Sequence, residues 1–469
     1  MTPDLVEVRR RAEEAERKQD WESASRLRDI VALESPSAGF WDTFFAIRAT
    51  LYAGRSDEAF RRLCLLSIVP GTESARTMMR AEIEERRGRD AEAVEWWRKA
   101  AILQSDPYWA LFGLARSLKR LGQTSEARQT MTLALALPSV ESRGIEFAAV
   151  LDLQSGSLEE ADAKLSALGL ADDERSRRIL ANLPGMTSQA ERWALFEAAG
   201  KLHGVGQAVD LGCWLGSLTI SMALGLKSNP RVDGPGVRVH AYDEFVWLAT
   251  YMDNDWIAGL PMARPADGES FLSAFQRIVA PWKHVIEIHQ CDLMHAQWTG
   301  EPIELLSVDA MKSPELARRI VSEFYPSLLP GQSVVFHQDF CHGYTWWIHM
   351  YHFLLRRHFE VTDNLEGSAG VLFRFDRPFE SGELEGVLQA DMSDKALATE
   401  AFSYSMDLVA PSDRATIAAA YIRCELANGR AARAQELMEL YRQDPVANRE
   451  LAGLKEWTQL QSAPNRTAS

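Results

Sequence analysis

Residues 208–219 read AVDLGCWLGSLT, and this stretch decides the fold. The apolar run 208–211 predicts a buried strand, and the apolar residues after Gly216 predict a helix. Gly212 and Gly216 permit a tight turn and the close approach of a ligand, because glycine has no Cβ. Asp210 stands at the carboxyl end of the strand, where it could accept hydrogen bonds from a cationic or hydroxyl-bearing ligand. The order of strand, acidic glycine turn and helix is typical of the nucleotide-binding corner of a doubly wound α/β sheet.

Four more segments have the apolar pattern of strands that end next to polar residues. They are residues 237–243, 284–289, 303–309 and 333–337. Because ligands bind at the carboxyl ends of the strands in open α/β sheets, polar residues at these ends are candidates for a binding cleft. These candidates are Asp243, Asp309 and Asp339. The sequence therefore predicts a Rossmann-like domain with a doubly wound, mostly parallel sheet.

The glycine spacing is Asp-x-Gly-x-x-x-Gly, which does not match the dinucleotide fingerprint Gly-x-Gly-x-x-Gly. The segment resembles motif I of class I S-adenosylmethionine (SAM) methyltransferases, whose cofactor carries no phosphate. Within that superfamily, Gly212, Trp214 and Gly216 are similar to a motif of the macrocin O-methyltransferase and cephalosporin-hydroxylase-like group. The residues around Asp243 and the run 305–340 also resemble this group.

The resemblance covers about residues 189–378 and implies a SAM-dependent methyltransferase that acts on a hydroxyl of a sugar, polysaccharide or natural product. In macrocin-type relatives, the acidic residues that match Asp309 and Asp339 bind a magnesium ion. Gln338 replaces the second aspartate of the family's paired Asp-Asp, so Mg²⁺ would need Gln338 and water to complete its octahedral oxygen ligands. The residues that the resemblance assigns to cofactor binding are Asp210, Gly212, Cys213, Trp214, Gly216, Asp243, Glu244, Cys291, Asp292 and Asp309.

Catalysis is expected at the ends of the fourth and fifth strands, because methylation of an alcohol requires removal of its proton. His337 is one candidate base, since the unperturbed pKa of histidine is about 6.5. Asp309 and Asp339 are the other catalytic candidates. Without a metal, Asp339 would orient His337 or His342, or take the proton itself. Lys312 would either hold an anionic group of the substrate or pair with Asp309.

Two segments are candidates for the acceptor pocket. The long segment 245–264 follows the second strand, and long loops of this kind are commonly lids or binding loops. The aromatic run 344–347 comes shortly after Asp339, although the helical spacing of Trp347 with later apolar residues favours a place in the core. Aromatic faces next to carboxylates suit a sugar or another polyhydroxylated ligand as well as an aromatic ring. The relevant residues of the long segment are Trp247, Tyr251, Asp253, Asp255 and Trp256.

The first third of the chain carries an internal period. Gly54, Gly88, Gly122 and Gly156 follow one another at a spacing of 34 residues, and an alanine follows each of them five residues later. This period resembles the tetratricopeptide repeat, a helix hairpin that stacks into a superhelix. We therefore expect all-α helical repeats on both sides of the α/β domain, and their surfaces are expected to bind a protein partner or a second copy of the chain.

The repeat pattern and the methyltransferase-like motifs divide the chain into four predicted regions. Residues 1–185 form tetratricopeptide-like repeats, and residues 186–380 form the SAM-dependent methyltransferase domain. Residues 381–460 form a second helical region, because the step from Gly429 to Ala434 repeats the spacing seen earlier. The polar residues 461–469 are expected to be disordered.

Charge and composition exclude several classes of protein. The net charge of −15 and the absence of a long basic run argue against nucleic acid as a partner. No run approaches the roughly 18 apolar residues of a membrane span, and no apolar leader is present. The 5 cysteines are scattered without Cys-x-x-Cys spacing, which is typical of reduced thiols. These features predict a soluble, cytoplasmic protein.

Two alternatives remain open at this point. The cephalosporin-hydroxylase-like relatives imply an oxygenase, in which Asp309, His337 and Asp339 would bind iron. The second alternative is a non-catalytic scaffold that stacks a degenerate methyltransferase domain on repeats. The intact glycine turn and Asp243 argue against degeneration, because a domain without cofactor has no need of them.

Overall fold

The computed structural model describes residues 4–34, 39–183, 185–232, 236–252, 264–365 and 367–441. The chain divides into two compact units, and the first unit ends at Leu170. None of the helices in the described ranges combines the length and the apolar character needed to cross a lipid bilayer.

Unit 1 is all helical. Each helix contacts the next one along the chain, as expected for consecutive helix hairpins. The described residues of unit 1 form the helices α1 (Leu5–Arg17), α2 (Trp21–Glu34), α3 (Phe40–Tyr52), α4 (Ser56–Leu65), α5 (Glu73–Arg86), α6 (Asp90–Ile102), α7 (Tyr108–Arg120), α8 (Thr124–Leu135), α9 (Ser142–Gln154) and α10 (Leu158–Ala167).

The periodic glycines lie at the turns between paired helices. Their φ angles are positive, at +84°, +72°, +74° and +70° for Gly54, Gly88, Gly122 and Gly156, a conformation that favours glycine. Gln19 takes the same place between α1 and α2, with a φ of 59°. The alanines that follow are buried where the paired helices meet, and they are Ala24, Ala59, Ala93, Ala127 and Ala161. The 34-residue period thus corresponds to one pair of helices per repeat. Membership of the tetratricopeptide family stays a prediction.

Unit 2 begins with helix α11 and contains the sheet. Short 3-10 turns follow α15 and α16. Its described elements are α11 (Asp172–Asn182), α12 (Gln189–Gly200), β1 (Gln207–Leu211), α13 (Ser217–Ser228), β2 (Val239–Asp243), α14 (Ala249–Met252), α15 (Leu272–Val279), β3 (Ile286–Gln290), β4 (Ile303–Val308), α16 (Pro314–Phe324), β5 (Val334–His337), α17 (Trp346–Leu354), β6 (Phe359–Asn364), β7 (Val371–Phe375), α18 (Glu383–Leu388), α19 (Lys395–Leu408), α20 (Arg414–Ala427) and α21 (Ala431–Leu440).

The sheet of unit 2 has seven strands in the order β3-β2-β1-β4-β5-β7-β6. Strands β1 to β5 are parallel, whereas β7 runs antiparallel to both β5 and β6. The strand order reverses between β1 and β4, and such a switch point leaves a crevice at the carboxyl ends of the strands. This mixed sheet agrees with the predicted α/β domain.

The boundaries of the units differ from the predicted ones. Helix α11 belongs to unit 2, where it contacts α12 and α13, although the sequence assigned residues up to 185 to the repeats. At the other end, α19 and α20 contact α17 and share one hydrophobic core with the sheet. The predicted C-terminal region is therefore packed onto the α/β core as far as it is described. Residues 442–460 and the predicted tail 461–469 lie outside the described residues.

Glu304 on β4 anchors the loop that leads into β1. Its carboxylate is fully buried and accepts hydrogen bonds from the backbone N–H groups of His203, Gly204, Val205 and Gly206 at 2.7, 2.9, 3.0 and 3.1 Å. Four N–H donors point at this one carboxylate. A neutral side chain in place of Glu304 would therefore leave some of these buried N–H groups without an acceptor. The loop and β4 are thus joined before the glycine turn begins.

We expect Glu304→Gln to lower the stability of unit 2 by about 3 kcal/mol, because an amide turns two donors toward backbone N–H groups that are themselves donors. Urea unfolding followed by tryptophan fluorescence measures the loss. Glu301→Gln is the matched control, since Glu301 is exposed two residues before β4. Equal urea midpoints for Glu304→Gln and the wild type would contradict the anchoring role.

Candidate active site

The two glycines of the turn after β1 are required by close packing. Gly212 has a φ of +83°, and a Cβ there would lie 2.7 Å from the carbonyl oxygen of Asp309. Gly216 has a φ of +84°, and its Cβ would lie 3.0 Å from the ring of Phe275. Cys213 is buried between the two glycines. The turn therefore holds the end of β1 directly against the end of β4.

Asp210 lies beneath the turn and is fully buried. Its Oδ2 accepts a hydrogen bond from the hydroxyl of Thr219 on α13 at 2.6 Å. Burial raises the pKa of Asp210 to about 6, although the hydrogen bond from Thr219 opposes this shift. In this structure the side chain joins β1 to α13 and does not reach the surface of the cleft, where the sequence placed it.

Asp243 at the end of β2 is held by two strained residues. Its Oδ2 accepts from the backbone N–H of Trp214 at 2.9 Å, and its Oδ1 accepts from the N–H of Phe245 at 2.7 Å. Trp214 and Phe245 have φ angles of 43° and 55°, and such left-handed non-glycine residues cost about 1–3 kcal/mol each. Burial raises the pKa of Asp243, and these N–H groups lower it. The strained backbone at Trp214 and Phe245 thus fixes the carboxylate of Asp243 beside the glycine turn.

More polar residues lie beside Asp243 at the ends of β2 and β3. The backbone N–H of Cys291 donates to the carbonyl oxygen of Asp243 at 3.0 Å. Burial raises the pKa of Glu244, and the carboxylates of Asp292 and Asp243 raise it further. Asp292 Oδ2 lies 3.0 Å from Nδ1 of His295. This edge of the cleft is therefore acidic and rich in acceptors, which suits a ligand with several hydroxyl groups.

Lys312 joins the ends of β4 and β5. Its Nζ lies 2.7 Å from Oδ1 of Asp309 and 2.5 Å from Oδ2 of Asp339. With its amide nitrogen turned toward the carboxylates, Gln338 donates to Asp339 Oδ1 at 3.0 Å and to Asp309 Oδ1 at 3.1 Å. Burial raises the pKa of Asp309 and Lys312 opposes this, while burial lowers the pKa of Lys312 and the two carboxylates raise it above its usual value. The two predicted acids are thus brought together around an ammonium.

His337 does not reach this cleft, which corrects the prediction that it acts as the base. It is 1% exposed, and its Nε2 lies 2.8 Å from the hydroxyl of Tyr325. Its ring packs against His352 and Phe373, and burial lowers its pKa to about 3. As the last residue of β5, it directs its side chain into the layer between the sheet and its helices. His342 instead stays near the cleft, where its backbone N–H donates to the carbonyl oxygen of Asp339 at 3.1 Å.

Three buried histidines should make the stability of unit 2 sensitive to acid. Burial lowers the pKa of His337 and His349 to about 3 and that of His352 well below 6.5. The unfolded chain binds protons near pH 6.5 and the folded chain does not. The contribution of these histidines to stability is therefore complete above pH 6.5 and falls below it, by about 1.4 kcal/mol per histidine and pH unit.

We expect the urea midpoint of the wild type to be lower at pH 5 than at pH 7.5, and the decrease to be smaller in His352→Phe. Phenylalanine suits the site because His352 stacks on Phe373 with ring centres 4.1 Å apart. Asp210 and Asp309, whose pKa values are raised to about 6 and about 7, act in the opposite direction, so the comparison with the variant isolates the histidine contribution. An unchanged decrease in His352→Phe would contradict the assignment.

The residues that were expected to bind magnesium or iron do not form a metal site in this structure. Among the described residues, the group of metal-ligating side chains that could share one ion comprises His240, Glu287 and His289 on β2 and β3. The iron alternative needs His337 next to the two aspartates, and His337 is buried against Tyr325 instead. The place between Asp309 and Asp339, where the resemblance implies magnesium, is taken by Lys312, so these residues as arranged do not fit a divalent ion.

The two segments proposed for the acceptor pocket are only partly described. Trp247 is fully buried and packs against Phe271, with ring centres 5.9 Å apart. Trp347 belongs to the core, as its spacing predicts, and its Nε1 donates to the carbonyl oxygen of Met311 at 2.8 Å. The other candidates of the long segment 245–264 lie outside the described residues or have an undescribed side chain, and they are Tyr251, Asp253, Asp255 and Trp256.

Comparison with known proteins adds little to this geometry. No protein-family model and no curated protein matches the chain. Among solved structures, the chain is similar to one described as "Structure of the O-methyltransferase NovP", with 14% identity and a TM-score of 0.33. The match covers 50% of this chain and 100% of that chain. At these values the likeness supports no functional statement, so function has to be argued from the site itself.

Proposed function

We propose that the chain is a SAM-dependent methyltransferase that methylates a hydroxyl of a sugar, polysaccharide or natural product. The observation that carries this proposal is the carboxylate of Asp243, which two strained residues hold beside the glycine turn. A carboxylate at the end of the second strand suits the two hydroxyls of a ribose. Trp214 Nε1 is buried without a hydrogen-bond partner among the described residues and offers a further donor in the same turn.

In this proposal each edge of the cleft has its own role. Bound SAM would supply a methyl group made electrophilic by its sulfonium. Asp243 and Glu244 would hold the ribose, and the resemblance assigns Cys291 and Asp292 to the adenine. The protein must also orient the acceptor oxygen and receive its proton. These tasks fall to the residues at the ends of β4 and β5.

Asp309 is the candidate base that replaces His337. Its side chain is 24% exposed, compared with 5% for Asp339, so it is the more accessible of the two acids. Lys312 and Gln338 contact its Oδ1, and Oδ2 is not part of these contacts. Burial raises its pKa toward neutrality, where a base is most effective. These features support proton removal by Asp309.

Unit 1 adds a binding surface to this proposal. It contains a cavity of about 420 Å³ whose lining includes Tyr52, Trp109, Phe112, Arg116 and Arg143. Helical stacks commonly bind peptides or partner subunits on such surfaces. We assign this surface to a protein partner or a second copy of the chain, and light scattering of the full chain tests the second possibility.

Calorimetric titration of the full chain with SAM and S-adenosylhomocysteine tests the proposed function. Binding in the micromolar range is expected, because the acidic edge and the glycine turn are already formed in the free chain. A wild-type protein that binds neither compound would refute the proposal and favour the scaffold alternative.

A further inference from the structure

Lys312 occupies the centre of the candidate active site. It lies in the turn that leads from β4 to α16, and its backbone N–H donates to the carbonyl oxygen of Ala310 at 2.7 Å. From there its side chain reaches two neighbouring strands, because Asp309 follows β4 and Asp339 follows β5. One ammonium therefore bridges the two acids that the resemblance assigns to a metal.

The groups around Lys312 offer donors where a metal needs acceptors. Mg²⁺ requires about six oxygen ligands at about 2.1 Å. Lys312 Nζ lies within 2.7 Å of both carboxylates, so a cation already stands between them. The side-chain amide of Gln338 lies 3.0 Å from Asp339 Oδ1 and 3.1 Å from Asp309 Oδ1, and beside these acceptors its nitrogen is the end that satisfies both with hydrogen bonds. A divalent ion would thus have to displace the ammonium, and Gln338 would have to turn its oxygen toward the ion.

The charges lead to the same result. Two carboxylates this close repel each other, and a cation between them removes the repulsion. With Lys312 in place, the two carboxylates and the ammonium carry a net charge of about −1. A magnesium ion added to the same place would lie against the ammonium and be repelled by it. In the macrocin-type enzymes that the sequence resembles, a magnesium ion neutralises these charges, whereas here the ammonium of Lys312 lies between the two carboxylates.

We propose that Lys312 is a built-in cation that replaces the divalent metal, so that this reaction centre works without one. The side chain is 47% exposed, and its ammonium bridges two carboxylates at the carboxyl ends of β4 and β5, where ligands bind in such sheets. There it would bind the acceptor oxygen and stabilise the negative charge that develops as the proton leaves. The role in the reaction rests on the proposed function, whereas the replacement of the metal is tested independently of SAM.

The test compares full-length wild type with Lys312→Ala by Mg²⁺ calorimetry and by thermal unfolding with Mg²⁺ or EDTA. Wild type is expected to give no binding heat and the same Tm in both solutions. Lys312→Ala is expected to have a lower Tm that Mg²⁺ raises, because its carboxylates have lost their cation. Mg²⁺ is the suitable probe, since a hard ion prefers oxygen ligands over the histidines of the His240 group. Lys283→Ala, at an exposed lysine before β3, should behave as wild type.

Stoichiometric Mg²⁺ binding by wild type that is lost in Asp309→Asn would overturn the inference. A folded Lys312→Ala protein that does not respond to Mg²⁺ would also overturn it. If Lys312→Ala does not fold, an amine-modifying reagent on wild type decides the matter. Lys312 should then react at least about 10-fold more slowly than Lys283, and equal rates would count against the inference. Failure to bind SAM would refute the proposed function but leave these metal results unaffected.

Discussion

Asp243→Ala is expected to raise the Kd for SAM at least about 100-fold, which is the largest effect on binding that we expect from one substitution. The carboxylate is placed to accept two ribose hydroxyls, and hydrogen bonds to a charged group contribute about 1.5–3 kcal/mol each. Each 1.4 kcal/mol corresponds to about a tenfold change in Kd. The substitution also leaves the N–H groups of Trp214 and Phe245 without their acceptor, so the strained turn loses its support.

Calorimetry of the full chain with SAM and S-adenosylhomocysteine measures this effect, and circular dichroism checks that the variant is folded. Asp363→Ala is the matched control, because Asp363 is an exposed aspartate on β6, outside the cleft. Asp243→Asn should lie between wild type and Asp243→Ala, since the amide keeps one acceptor oxygen. Unchanged affinity in Asp243→Ala would remove the main support for the proposed function.

The parallel part of the sheet could be predicted because its strands are buried apolar runs with polar ends. β1 to β5 lie within a few residues of the expected segments. The strands β6 and β7 were not predicted. They form an antiparallel pair at the edge of the sheet, where Phe359 is the one buried residue of β6 and no polar motif marks the end of the strand. Periodicity is a weak signal in such short edge strands.

The side-chain environment of the site was harder to predict than its position. Sequence spacing put His337 near Asp339, but it does not reveal which face of a strand the neighbouring helices cover. The spacing of Lys312 from Asp309 indicated one contact, while the second contact depends on β4 and β5 being neighbours. Trp214 has a left-handed backbone conformation, which tryptophan rarely adopts. No local sequence signal therefore reveals this conformation.

Asp339→Asn is expected to reduce methyl transfer about 100-fold while the affinity for SAM stays within about twofold of wild type. Asp339 Oδ2 lies 2.5 Å from Lys312 Nζ, and Asp339 is one of the two acids that raise the pKa of that lysine. Asparagine keeps the shape but removes the charge that directs the ammonium toward the acceptor oxygen. The contacts of Asp243 with Trp214 and Phe245 do not involve Asp339, so the cofactor edge should be unaffected.

Transfer is measured as S-adenosylhomocysteine formed from SAM with a panel of sugar and natural-product alcohols, using the compound that wild type methylates fastest. The alkaline limb of the pH–rate profile should move to lower pH in Asp339→Asn, because Lys312 then loses its proton more easily. A purely structural defect would lower the rate without moving this limb, and exposed Asp363→Asn should change neither. Full activity in Asp339→Asn would show that the reaction does not depend on how Lys312 is held. Proton removal would then have to be explained by Asp309 alone, since His337 lies buried against Tyr325.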